Sequence, residues 1–382
     1  MRAAWTAFAI ASAFFLFEFV TRIEPGLATD GIRGFYHLSD KDFGTLSSLF
    51  FWVYAPMQIV VGLLLDRYGA RRFILLGSLL CALGVLLFTA TPDPVLGGVG
   101  RALTGFGASF AFVAALWLVN HWFVPQRFAL LSGAVNAVGM LGTAIGGVVL
   151  SNAIASAGWR DVFFGTAAAG VVIFISAFLF LREPPSPAST ATSGPVEHVW
   201  QSLAAVAGSP RIWAIAMVGM LYYMPVNVYG GLWGTTEMIR DHGMHEVTAE
   251  TVVSMIFWGM AAGSVAGGWL SDLLGHRKYL VLVGVILTGL AYAAVLYLPG
   301  TPWLEGSLLF AAGFFGGLQM LTFAMAKESL PNDIADLTGG DFRLALTTVP
   351  ACAAVAAIIM VFLPEYRHPQ HRPRLACQPS NV

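Results

Sequence analysis

The chain has 382 residues and a formal net charge of -1; 57% of its residues are hydrophobic, only 11% are charged, and its mean hydropathy is +0.74. A soluble domain carries roughly a quarter charged residues, so water is excluded as the main solvent of this surface, and the near-neutral charge gives no case for a nucleic-acid partner. Three cysteines, Cys81, Cys352 and Cys377, lie far apart without metal-ligand spacing, and Cys81 and Cys352 sit in apolar runs as buried small residues would.

Hydrocarbon about 30 Å thick needs about twenty apolar residues at 1.5 Å rise each. The first such run, 3–26, follows Met1 and Arg2. Its length, its bulky Phe residues and Glu18 speak against a cleaved signal peptide, so it reads as a retained span. Further spans are predicted at 43–65, 73–91, 95–119, 128–150 and 161–181. The stretch 183–210, with Glu183-Pro184-Pro185-Ser186-Pro187 followed by Ser, Thr, Ala and Gly, reads as a linker. A second set of spans follows at 211–233, 250–271, 279–298, 303–326 and 344–363, and the basic tail 367–382 closes the chain.

Ten basic residues (Arg2, Arg67, Arg71, Arg72, Arg127, Arg182, Arg211, Arg277, Lys278 and Lys327) fall in loops on the side of the N-terminus, against four (Arg33, Lys41, Arg160 and Arg240) on the other. The positive-inside bias places the N-terminus and the linker in the cytoplasm, in a cytoplasmic (inner) membrane.

Ionisable groups inside spans are costly and are therefore the first functional candidates. The first span carries Glu18, Arg22 and Glu24, with Glu18 and Arg22 one turn apart on one face. Two readings stand for Arg22, an anion clamp or an interfacial ion pair. Two also stand for Arg101 in the fourth span, a role in proton coupling or snorkelling to the outer interface. Tyr54, Gln58 and Gly62 form a polar stripe on the second span, and Tyr222, Tyr223 and Asn227 cluster beside Pro225 on the seventh. Trp258 and Gln319 in the eighth and tenth spans complete the candidates, which are expected to converge on a midplane cavity or else to be belt and packing residues.

The turn after the second span contains Gly62, Asp66, Arg67, Gly69, Arg71 and Arg72, and the turn after the eighth contains Gly268, Asp272, Gly275, Arg277 and Lys278. Gly, Asp, Gly and the basic pair coincide at a single offset of 206 residues. Gly62 and Gly268 suit close helix approach, the Asp residues suit the N-terminus of a neighbouring helix, and the basic pairs can bridge to acidic groups. This repeated pattern resembles the signature loop of the major facilitator superfamily. Arg101-Ala-Leu-Thr-Gly105-Phe-Gly107, the glycine-rich fifth span, Trp122-Phe-Val-Pro125 and Gly158-Trp-Arg160 are similar to further motifs of that family, although the fifth span lacks the proline that marks many antiporters. Arg22-Ile-Glu-Pro-Gly26 resembles the first-helix arginine of its organic-anion branch.

The resemblance implies an all-α polytopic membrane protein of two helical bundles around a central cavity, working by alternating access. The bundles are expected at 1–182, with six helices, and at 211–366. The second is shortened: the repeat breaks between Lys327 and Arg343, and the segment from Glu328 to Gly340 is too short and polar to cross a membrane. The eleventh helix of the family pattern is therefore expected to be missing, giving six plus five spans. The function expected is secondary active transport of a small organic solute, with anions favoured and a proton as coupling partner. The alternative is a membrane sensor or assembly subunit that no longer transports. An enzyme is disfavoured for want of a metal cluster or a nucleophile–base pair, and no Gly-rich nucleotide loop is present, so no cofactor is expected.

Overall fold

The computed structural model describes residues 2–184, 208, 210–274, 277–298 and 300–328. The predicted 344–363 span, the missing eleventh helix, the basic tail, most of the linker, Gly275, Cys352 and Cys377 lie outside these residues.

Among the described residues the chain is helical. The first bundle comprises α1 (Arg2–Leu27), α2 (Thr29–Tyr36), α3 (Asp40–Tyr68), α4 (Ala70–Ala90), α5 (Pro94–Ala108), α6 (Ala111–Trp122), α7 (Phe128–Ala157) and α8 (Trp159–Phe180). The second comprises α9 (Pro210–Pro225), a π-helical segment (Val226–Trp233), α10 (Gly234–Arg240), α11 (Glu246–Leu274), α12 (Arg277–Tyr297), α13 (Pro302–Gly316), a 3-10 turn (Gly317–Met320) and α14 (Leu321–Glu328). Nine of these segments are long and apolar enough to cross a membrane, with α5 and α6 or α13 and α14 each counted as one span. The tenth is α3, which bends by 60° between Gln58 and Val60, close to Pro56. The predicted spans are met to within a few residues, except that the fifth runs on to Ala157. Its last turns are polar by sequence, and the helix stops only at Gly158, where φ is +86°.

The short helix α2 has no apolar run long enough to announce it. It is amphipathic and is held by its buried face: Ile32 and Tyr36 are buried, Phe35 packs on Trp159, and the Tyr36 hydroxyl donates to the Phe88 carbonyl. Burial and nearby Asp93 push the Tyr36 phenol up to about 12, which keeps it a donor.

The repeat read from the sequence has a packing counterpart. In the first bundle Gly105 presses its backbone against that of Phe50, and in the second Gly313 does so against Ile256. Phe50 and Ile256 stand at the 206-residue offset. Helices α5 and α13 both begin with proline at the first turn and a capping side chain, Asp93 to the Val95 amide (2.8 Å) and Thr301 to the Leu304 amide (3.4 Å). Both spans also break in the middle, after Ala108 and after Gly316.

The bundles meet chiefly where α7 crosses α11. Gly133 lies on the Ser264 carbonyl, Gly268 on the backbone of Ala129, and the Asn136 amide donates to the Ser264 hydroxyl at 2.8 Å. Lipid tails are as apolar as leucine, so such crossings are held by close backbone approach and by polar bonds between helices.

Candidate functional site

Helix α1 places three ionisable side chains among apolar ones. Glu18 and Glu24 are each 1% exposed, and the Arg22 side chain is 23% exposed. Glu18 and Arg22 form the expected one-turn ion pair. The Arg22 guanidinium lies over the rings of Phe19, Phe50 and Tyr54 at 4.8, 5.8 and 5.0 Å from the ring centroids. Tyr54 and Tyr223 are its electrostatic neighbours, one from each bundle. A guanidinium tolerates such a site because its planar face is weakly hydrated and stacks on aromatic rings. Glu18 Oε2 and Arg22 Nε are buried without a hydrogen-bond partner, so the pair does not use up its own bonding capacity.

A second charged cluster shares the Phe50 ring. Arg101, only 3% exposed, donates to the Thr21 carbonyl at 3.0 Å and lies over Phe50 at 5.0 Å and Phe88 at 5.9 Å. The snorkelling alternative for Arg101 is thereby corrected: its guanidinium turns inward to α1. Glu24 faces it, with Thr166 as its neighbour, and Glu24, Pro25, Val85, Phe88, Thr104 and Phe163 wall Arg101 in. Glu24 Oε1 and Arg101 Nε have no hydrogen-bond partner there.

The remaining candidates do not all converge. The predicted stripe on the second span divides: Tyr54 turns to Arg22, while Gln58 is buried and donates to the Ser109 carbonyl at 3.4 Å, beside the break between α5 and α6. Gln319 is buried at the corresponding break in the tenth span, where it faces Gly219. Asn227 is exposed and its amide reaches back to the Tyr223 carbonyl at 3.4 Å, a bond within its own helix. Trp258 is 38% exposed. The helix type changes after Pro225, so Asn227 stands in the π segment, where one extra residue per turn re-aims the side chains.

The signature loops are braced. Asp66 accepts from the Trp117 indole at 2.8 Å. Gly69 takes φ +81°, and the Glu183 side chain fills the space a Cβ would need. Glu183 accepts from the Arg71 amide at 2.9 Å, and the Arg71 guanidinium donates to the Phe178 carbonyl at 2.8 Å. Burial pushes the Glu183 carboxyl up, and Arg71 and Arg72 only partly offset this. Arg67 covers the ring of Tyr68 at 5.4 Å. In the second loop Asp272 and Arg277 approach to 4.0 Å, and Gly268 packs on α7.

Sequence reasoning missed Thr166, the Asn136–Ser264 bond and the facing of Glu24 with Arg101. The first two are polar residues in apolar helices, a weak signal, and only the helix packing pairs them.

The Major Facilitator Superfamily profile matches residues 4–235 and 215–369. The chain is 24% identical to the probable sulfoacetate transporter SauU of Cupriavidus necator, covering 85% of this chain and 79% of that protein. It is 26% identical to the membrane sensor protein UhpC of Escherichia coli (83% and 75% covered) and 24% identical to the probable galactarate/D-glucarate transporter GarP of the same species (80% and 77%). The fold is similar to that of the proton:xylose symporter XylE, with a TM-score of 0.70 at 13% identity over 94% of this chain and 89% of that one. It is also similar to the fucose:proton symporter FucP, at 0.68 and 17% over 93% and 91%. Two repeated bundles, braced signature loops and a profile match over nearly the whole length lead to one conclusion: the chain belongs to the Major Facilitator Superfamily.

Proposed function

We propose that this chain is a secondary transporter that carries a small organic anion across the membrane together with protons, by alternating access, and that Arg22 is its anion-binding residue. The observation that carries the reading is the position of Arg22, a partly exposed guanidinium with Tyr54 of one bundle and Tyr223 of the other as neighbours. A group between the bundles is felt from both sides as they rock. Two relatives are named as transporters of anions, sulfoacetate and galactarate or D-glucarate.

Glu18 supplies the coupling. While ionised it holds Arg22, and the planar fork of the guanidinium cannot be given wholly to both Glu18 and a substrate carboxylate. A proton on Glu18 releases the fork to the substrate. Binding of the anion and uptake of the proton therefore favour one another.

The test is uptake of sulfoacetate by proteoliposomes under an imposed proton gradient. Arg22→Lys keeps the charge and loses the fork, and it should abolish most of the uptake. Normal uptake by Arg22→Lys would remove Arg22 from the site. One observation favours a second reading, the likeness to a membrane sensor protein. A chain that binds the anion but moves none in this assay would be a sensor.

A further inference from the structure

The end of the second bundle opposite its signature loop carries a titratable cluster that plays no part in the anion site. Helix α10 ends at Arg240, and His242 follows it just before Gly243, where φ is +65°. His242 Nε2 lies 3.6 Å from Glu237 Oε1, and Nδ1 lies 3.4 Å from Glu305 Oε1. Glu237 is on α10, and Glu305 is in the first turns of α13, so the ring stands between the end of the seventh span and the start of the tenth.

Glu305 is fully buried, at 0% exposure, and neither of its oxygens has a hydrogen-bond partner. The Tyr229 hydroxyl, from the π segment, is already bonded to Glu237 Oε2. From α12, Tyr292 is buried near Tyr229 with its hydroxyl unpartnered, and Tyr297 lines the adjoining cavity of about 400 Å³ together with Asp241, Glu237 and His242. Arg240 and His245, on the same loop, and Glu250 on α11 are exposed.

The two carboxylates approach opposite nitrogens of one ring. A single metal ion cannot sit between them, because it would have to bind both sides of the imidazole. A neutral imidazole carries one N–H and can serve one carboxylate only. Only the doubly protonated ring gives each carboxylate a donor, and a buried carboxylate left without one is costly.

We propose that His242 is a proton-binding site, and that the protonated Glu237–His242–Glu305 bridge clamps the end of the seventh span to the tenth. The proton arrives through the cavity from water. Its loss releases Glu305 from α10 and lets the 234–245 segment open.

Hydrogen exchange of the full chain in nanodiscs, corrected for the intrinsic pH dependence of exchange, reads this opening. Protection of the 234–245 segment should fall about tenfold between acidic and alkaline buffer, the scale of one charge-assisted bond. Peptides from α7 should not respond. His242→Gln should be poorly protected at both ends of the range, and His242→Lys, with a fixed charge, should be protected at both. Wild-type protection that ignores pH would overturn the proposal, and so would a His242→Gln chain that keeps the wild-type response or a His242→Lys chain no better protected than it. Should His242→Gln fail to fold, Glu305→Gln is the second variant: it removes the buried charge and should abolish the pH response, and a retained response counts against the clamp.

Discussion

On the proposed reading, replacing Glu18 by Gln removes the competitor for Arg22 without changing the shape of the side chain. A charge-assisted hydrogen bond contributes about 1.5–3 kcal/mol, which corresponds to about 10- to 150-fold in an equilibrium constant. Arg22 keeps 23% of its side chain exposed and also lies over three aromatic rings, so the lower end applies. Glu18→Gln should therefore bind an organic anion about tenfold more tightly at neutral pH. It should also lose the strengthening on acidification expected of the wild type, because the carboxylate beside Arg22 is gone. The cost appears in the empty protein, where the guanidinium is left without its counter-charge. Thermal unfolding should show Glu18→Gln less stable than wild type, and the double change Glu18→Gln, Arg22→Gln should recover part of the loss. The assay is calorimetric titration of the purified chain with sulfoacetate in acidic and neutral buffer. Binding by Glu18→Gln that is weaker than wild type at neutral pH, or that keeps the wild-type pH dependence, would refute the competition argument.

Two further outcomes are expected. Asp66→Ala removes the acceptor of the Trp117 indole, and Asp272→Ala removes a carboxylate 4.0 Å from Arg277. Each should slow turnover about five- to tenfold while leaving substrate affinity nearly unchanged, and initial uptake rates across a concentration series would expose the reverse pattern. Glu24→Gln leaves Arg101 buried with the Thr21 carbonyl but without its facing charge, so it should lower stability by up to about 3–5 kcal/mol. It should also lose accumulation against a gradient while keeping exchange of labelled for unlabelled anion; accumulation at the wild-type level would dismiss Glu24 from coupling.

The legible part of this molecule was whatever the bilayer dictates. A span must be apolar for about twenty residues, and ten such runs were found where the ten described spans stand. The repeated Gly–Asp–Gly–basic loop was legible because turn geometry and charge are fixed by residue type: Gly69 needs its positive φ, and Gly268 needs its missing side chain. The Glu18–Arg22 pair was legible because it lies within one helix turn. What failed was anything that depends on the rotation of one helix against another. Gln58 was assigned to the same stripe as Tyr54, yet it turns to the Ser109 carbonyl while Tyr54 turns to Arg22. Asn227 was assigned to a cavity, but the π segment re-registers it. Helix α2 escaped because eight residues give too short a pattern, and its fixing contacts, Phe88 and Trp159, are remote in sequence. The His242 cluster joins residues from a loop and two spans that no local pattern connects.

Charge balance within the first bundle constrains the chemistry further. Its two deeply placed cations, Arg22 and Arg101, are each matched by a carboxylate from a single helix, Glu18 and Glu24, and both guanidiniums lie over the Phe50 ring. The four groups sum to zero when all are ionised. Adding an anion to such an interior leaves a net negative charge, and the cost of a net charge there is several kcal/mol even after relaxation. A monoanion is admitted without that cost when one carboxylate takes a proton, and a dianion when both do. The two carboxylates are not equivalent in this respect. Glu18 pairs with the cation that is partly open, whereas Glu24 faces, without touching, the one that is closed in. On the proposed reading, the proton on Glu18 therefore decides whether Arg22 is free to bind. On the same reading, a proton on Glu24 removes the charge that faces Arg101, whose bond to the Thr21 carbonyl ties α1 to the fourth span.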